Sequence, residues 1–128
     1  MSYYFSKVLD VSFEEAISKV TEELKKEGFG ILTEVDVKTV LKKKLDVDMQ
    51  NYKILGACNP KFAHKALQLE DKIGTMMPCN VIVQETAEGK VEVAAVDPVS
   101  SMQAVDNPNL GKVAEEVRSK LKKVIDNL

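Results

Sequence analysis

The sequence predicts a two-layer α+β domain in which two long helices cover one face of a five-stranded sheet and two short helices are added between strands. Two observations carry this. Apolar seams at helical spacing occupy the stretches near both ends of the chain. Between them lie short alternating strands, the last two joined by a glycine-bearing hairpin. The predicted order is β-α-β-α-β-α-β-β-α.

Tyr3 to Leu9, rich in Tyr, Phe and Val, reads as the first strand. Ser12-Phe-Glu-Glu15 then opens a helix. Ser12 caps the free N–H groups and Glu15 reaches back to the N–H of the cap. Phe13, Ala16, Ile17, Val20 and Leu24 recur every three or four residues, marking one buried face. Gly28 ends the helix by accepting a left-handed backbone, so the first long helix spans Ser12–Gly28.

Gly30 to Val35 is the second strand. A short helix follows with Val37, Val40, Leu41 and Leu45 on one face. Its run Lys42, Lys43 and Lys44 reads as a solvated surface, because lysines without glycine-rich backbone make a poor phosphate cradle. Tyr52 to Ala57 is the third strand, closed by Cys58. Asn59 and Pro60 start the second short helix: Asn caps, and Pro suits the first position. Phe62, Ala63, Ala66 and Leu67 form its apolar side. His64, the only histidine, falls on the polar side.

Gly74 to Pro78 is a connection. Cys79 to Thr86 and Lys90 to Val96 are strands four and five around Ala87-Glu88-Gly89. Asp97-Pro98 stops the fifth strand, and Ser100 to Asp106 reads as irregular. Asn107-Pro108 repeats the capping logic. Leu110, Val113, Val117, Leu121, Val124 and Leu128 give the second long helix, Pro108–Leu128, its seam.

The composition fits one domain over residues 1–128. Hydrophobic residues make up 45% of the 128 and charged residues 30%, enough for both a core and a solvated surface. Aromatics are only 5% and the net charge is −2, without a basic stripe, which argues against a nucleic-acid partner. No stretch is long and apolar enough to span a bilayer, so no membrane partner is expected. The opening residues lack the pattern of a secretory signal. These features point to a cytoplasmic protein with reduced thiols.

Strands four and five carry apolar residues on both sides. Val81 and Val83 alternate with Ile82; Val91 and Val93 alternate with Ala94 and Val96. If the helices cover one face, the other still presents an apolar patch built from Leu32, Leu55, Ile82, Ala94 and Val96. The first expectation for it is a homodimer interface, because two-fold homodimers are the commonest assembly; the second is a small-molecule groove.

The stretches "CNPKFAHKAL", "MMPCNVIVQE" and "VDPVSSM" resemble the bacterial and archaeal domain-of-unknown-function family 302, over nearly the whole chain. That resemblance implies a fold of the TATA-binding-protein-like group, with a curved, antiparallel sheet, and it implies dimers. It brings no established activity.

The same stretches hold the two cysteines. In the antiparallel topology that the resemblance implies, Cys58 closes one strand and Cys79 opens its neighbour, so both thiols lie at one end of the sheet. A thiol just ahead of a helix feels the positive end of the helix dipole, which lowers its pKa; Lys61 would add to this. On that reading Cys58 is a reactive thiol with Cys79 as its resolving partner or co-ligand, and Asn59 as a polar positioner. The chemistry would be that of a thiol-dependent enzyme or a sulfur or metal carrier. The plainer reading is a pair of small packed residues, since free cysteine is among the most buried residue types. The cysteines are too far apart in sequence for a Cys-X-X-Cys pair. Two cysteines also make an incomplete zinc shell unless two subunits combine theirs, so neither a metal nor a cofactor is assigned. Glu85, Glu92 and Asp97 read as solvated strand carboxylates. The sequence thus favours a non-catalytic, dimeric domain that binds a small ligand or a partner, through Cys58, Asn59 and Cys79 or through the open sheet face.

Overall fold

A computed structural model of the chain describes residues 2–128; Met1, where the expected single domain begins, lies outside them. The strands are β1 (Tyr4–Leu9), β2 (Gly30–Asp36), β3 (Tyr52–Cys58), β4 (Cys79–Glu85) and β5 (Val91–Val96). They form one sheet in the order β1-β5-β4-β3-β2, and every neighbouring pair is antiparallel. The helices are α1 (Phe13–Lys26), α2 (Val37–Leu45), α3 (Pro60–Leu69), α4 (Pro98–Ser101) and α5 (Pro108–Asp126). A 3-10 turn covers Asp71–Met76.

The two long helices share one face of the sheet. From α1, Ala16, Val20 and Leu24 enter the core; from α5, Val113, Val117, Leu121 and Val124. They meet Leu55 and Ala57 of β3, Val81 and Val83 of β4, and Val91, Val93 and Ala95 of β5 in one continuous cluster. Each large aliphatic side chain so buried contributes about 1.5–3 kcal/mol relative to exposure.

The ends of α1 follow from local chemistry. Ser12 Oγ accepts from Glu15 N at 3.1 Å. The Glu15 carboxylate accepts from the Ser12 hydroxyl at 3.3 Å, in place of the backbone N–H that the capping pattern led us to expect. At the other end Gly28 has φ 86°. Its N–H donates to Lys25 O, and Phe29 N–H donates to Leu24 O. This paired closure satisfies the last carbonyls and sets Phe29 against Leu24 in the core.

Three expectations change. Leu55 does not belong to the open face: it stands opposite Val81 in the register and is 1% exposed under the helices, whereas Ile54 stands opposite Ile82. Period-two alternation puts every second residue on the same face, so placing Leu55 one step out of phase reversed its side. Asp97 is not solvated but 6% exposed. It caps α4, a helix whose last two residues, Ser100 and Ser101, fall where irregular chain was expected, by accepting from Val99 N, and it accepts from Arg118 Nε at 3.1 Å. Arg118 in turn lies 5.2 Å from the centre of the Phe5 ring. Finally, α2 has no buried residue, and Val40 and Leu45 remain exposed on the β2–β3 side of the sheet.

Gly56 is the tightest point in the sheet. A methyl group there would collide with Thr33 Oγ1 from β2 and come within 2.8 Å of Pro78 Cγ. Overpacking of this kind costs about 1–3 kcal/mol. Gly56→Ala is therefore expected to lower the Tm by roughly 5–10 °C. Gly30→Ala, at a position with nothing within 4 Å of the added carbon, is the control and should leave the Tm nearly unchanged. Equal melting curves for the two variants would show that the packing over Gly56 is loose.

Candidate functional site

Two places in the fold gather unusual side chains. The first is the cysteine corner. Antiparallel pairing sets Ala57 opposite Cys79, so Cys58, one residue on, lies at the same end of the sheet, and alternation turns its side chain to the face opposite that of Ala57 and Cys79. The expected placement of both cysteines at one end of the sheet is therefore present, and both are free thiols. They border a cavity of about 40 Å³ between the end of the sheet, α3 and α5. Its walls are almost wholly apolar, with Phe62 and Ala66 from α3 and Leu110 and Val113 from α5. Met77 and Met102 also line it.

The electrostatics of this corner differ from the expectation of an activated thiol. Burial pushes the Cys58 thiol up from its ordinary value. Cys79 is pushed up to about 11, by burial first and by the neighbouring Cys58 charge second. Desolvation disfavours the thiolate, and here it outweighs the start of α3, whose dipole acts only over its first turn. Lys61 is exposed. Asn59 stands at the N-cap of α3 without capping through its side chain. Its Nδ2 instead donates to the Glu27 carbonyl at 3.1 Å, tying the start of α3 to the end of α1. His64 is exposed on α3, as its position on the polar side implied. Among the described residues no three His, Cys, Asp or Glu side chains gather as a metal group.

The second place is the open face of the sheet. Ile82, Ala94 and Val96 form the floor of a basin of about 420 Å³. Tyr3, Tyr4 and Tyr52 stand around it, and Tyr3 and Tyr4 meet edge to face with ring centres 5.0 Å apart. Polar groups converge at one side, where Gln84 Nε2 donates to Glu92 Oε1 at 2.9 Å. The sequence reading found the floor and missed the tyrosines. β1 is first in sequence but pairs with β5, and only that long-range pairing brings Tyr4 opposite Val96. Leu32 is apart from the basin: it is 68% exposed at an irregularity between Ile31 and Thr33 on the edge strand β2.

The raised thiol pKa values have two measurable consequences. Neither cysteine should react with iodoacetamide at neutral pH as fast as a free thiol, and Cys58, the less buried, should react before Cys79. Stability should also depend on alkaline pH. Folded Cys79 holds its proton more tightly than the unfolded chain does, so its contribution is complete below about pH 9 and is lost as pH rises toward 11. The loss is on the order of 2 kcal/mol. Alkaline denaturation curves for wild type and Cys79→Ala should diverge by that amount across this window. Parallel curves would mean that the Cys79 thiol ionises freely in the folded chain.

Comparison with known proteins places this fold. The family described as Domain of unknown function DUF302 matches residues 5–128. A crystal structure of an uncharacterized conserved DUF302 protein from Bacillus stearothermophilus is similar over 98% of both chains, with 25% sequence identity and a TM-score of 0.91. No curated protein matches the chain. The family match runs from β1 to the end of α5, across both the cysteine corner and the open face, and on that ground the chain belongs to the DUF302 family.

Proposed function

We propose that this domain is a non-catalytic cytoplasmic binding module that takes a small, partly apolar molecule into the basin on the open face of its sheet. The observation that carries this reading is the composition of the basin. An apolar floor, three tyrosines and one localised polar pair match the usual make-up of ligand sites, and about 420 Å³ lies in the range that holds a small organic molecule. Tyrosine suits such a site because its ring supplies contact area while its hydroxyl stays able to hydrogen-bond. The cysteine corner weighs against a thiol-dependent reaction. Neutral thiols are poor nucleophiles, and a cavity of about 40 Å³ has no room for an organic substrate.

A homodimer is the second reading, and a different surface favours it. A concave face does not fit a copy of itself around a two-fold axis, because such an interface must be self-complementary. β1, in contrast, is an edge strand with an unbroken register against β5, and Val8 on it is 53% exposed. Pairing of β1 with β1 of a second copy would extend the sheet and leave both basins open.

A thermal-shift screen of small amphipathic molecules tests the first reading. A binder should raise the Tm of the wild type, and Ile82→Lys or Ala94→Glu should abolish that rise while the unliganded variants still fold. A rise that survives both substitutions would remove the basin from consideration. Light scattering tests the second reading: twice the 14.2 kDa chain mass is expected at micromolar concentration, reverting to one chain mass in Val8→Lys. A monomer throughout, or a dimer that persists in Val8→Lys, would reject the β1 edge.

A further inference from the structure

One end of the basin on the open face is electrostatically one-sided. Tyr52 of β3 stands opposite Gln84 of β4, and Gln84 stands opposite Glu92 of β5. All three line the basin, so they form one row across it, with neighbouring Cβ atoms about 4.5–5.5 Å apart. Gln84 Nε2 donates to Glu92 Oε1 at 2.9 Å, which turns the donor side of the amide to the carboxylate. Gln84 Oε1 and Glu92 Oε2 are then two acceptors without a partner among the described residues. Glu92 is the only charged residue that lines the basin, and it belongs to none of the ion pairs among the described residues. The opposite end is aromatic. Tyr4 stands opposite Val96, which lies roughly 13 Å along β5 from Glu92 at the usual rise of a strand. Tyr3 meets Tyr4 edge to face there. Ile82 and Ala94, opposite each other in the register, lie between the two ends.

We infer that the ligand of this basin is a small amphipathic amine, its protonated amino group held by Glu92 and Gln84 and its apolar body lying over Ile82 and Ala94 toward Tyr3 and Tyr4. The inference rests on the basin being a ligand site and adds the charge, polarity and length of what it takes. Three observations select a cation. A carboxylate with no cationic neighbour in a partly apolar concavity draws in positive charge and rejects anions, which would lose their water against a like charge. The two open acceptors ask for hydrogen-bond donors, and an ammonium group brings three donors and no acceptor. Aromatic faces carry the negative side of a quadrupole, so the tyrosines suit a cation and not an anion. A metal ion fits less well. One carboxylate is a single ligand, and among the described residues no three His, Cys, Asp or Glu side chains gather.

The test is calorimetric titration of the whole chain with three probes of one shape, phenylbutylamine, phenylbutanol and phenylbutyrate, and with n-butylamine, which lacks the ring. The amine should bind about tenfold or more tightly than the alcohol, the increment of a charge-assisted hydrogen bond, and the carboxylate should not bind detectably. n-Butylamine should bind about tenfold more weakly than phenylbutylamine, for want of the buried ring. Glu92→Gln keeps the side-chain shape and an acceptor for Gln84, and it should bring amine and alcohol to equal affinity. Tyr4→Ala should remove most of the advantage of phenylbutylamine over n-butylamine. Equal affinity for amine, alcohol and carboxylate, lost for all three in Ile82→Lys, would overturn the amine and leave the basin standing as a ligand site. Amine binding unchanged in both Ile82→Lys and Glu92→Gln would overturn the amine and the basin together. Absence of amine binding to the wild type at millimolar concentration overturns the inference as well. Should Glu92→Gln fail to fold, the wild type decides: no preference for the amine, or ring resonances of Tyr4 and Tyr52 that do not move when it binds, would overturn the assignment.

Discussion

The antiparallel pairing of β3 with β4 is the constraint on which the rest of the molecule depends. Its register puts Leu55 opposite Val81 and Ile54 opposite Ile82, which assigns one set of side chains to the helices and the other to the open face. A shift of one residue would exchange the two sets and bury polar groups such as Asn80 and Gln84 under α1 and α5. The same pairing sets Cys79 beside Ala57 and so brings the ends of two strands, separated by α3 and the 3-10 turn, to one corner. Gly56 helps to fix that register from the inside: only a residue without a side chain fits between Thr33 and Pro78.

At that corner two electrostatic effects oppose each other, and magnitude decides. A helix N-terminus favours a nearby anion, by about 0.3–1 kcal/mol in exposed settings. Loss of solvation acts against it: at Cys58, beside the start of α3, burial still moves the thiol up, and at Cys79, away from any helix start, the rise to about 11 corresponds to on the order of 2 kcal/mol. Desolvation wins, helped by the mutual repulsion that two thiolates would feel. A corner of this kind keeps its sulfurs protonated at neutral pH.

Much of this architecture was legible in the chain because it rests on local chemistry. The Ser12 cap, Gly28 with its left-handed backbone, and the seams of α1 and α5 all declare themselves within a few residues. The β4–β5 hairpin and the placement of Cys58 and Cys79 at one end of the sheet followed once antiparallel neighbours were assumed. What escaped depends on contacts between distant segments. Leu55 and Ile54 are adjacent apolar residues, and no local signal says which of them meets the helices. Asp97 looks like any aspartate ahead of proline until Arg118, from the middle of α5, reaches it. Tyr4 of β1, with Tyr3 just ahead of it, joins Ile82 and Ala94 only because the first strand pairs with the last.

The two candidate sites lie on opposite sides of the sheet yet share a strand entrance. Cys79 borders the small apolar cavity under the helices, while the next residue, Asn80, borders the basin on the open face. Alternation along a strand makes this unavoidable: consecutive residues serve opposite faces. Cys79 on the cavity side thus stands one residue away from the basin wall. Gly56, opposite Asn80, leaves that stretch no side chain of its own to buffer a displacement. Closely packed interiors transmit such shifts rather than absorb them. The start of β4 is therefore a segment that borders both sites, and Thr33 and Pro78 both pack close over the Gly56 that faces it.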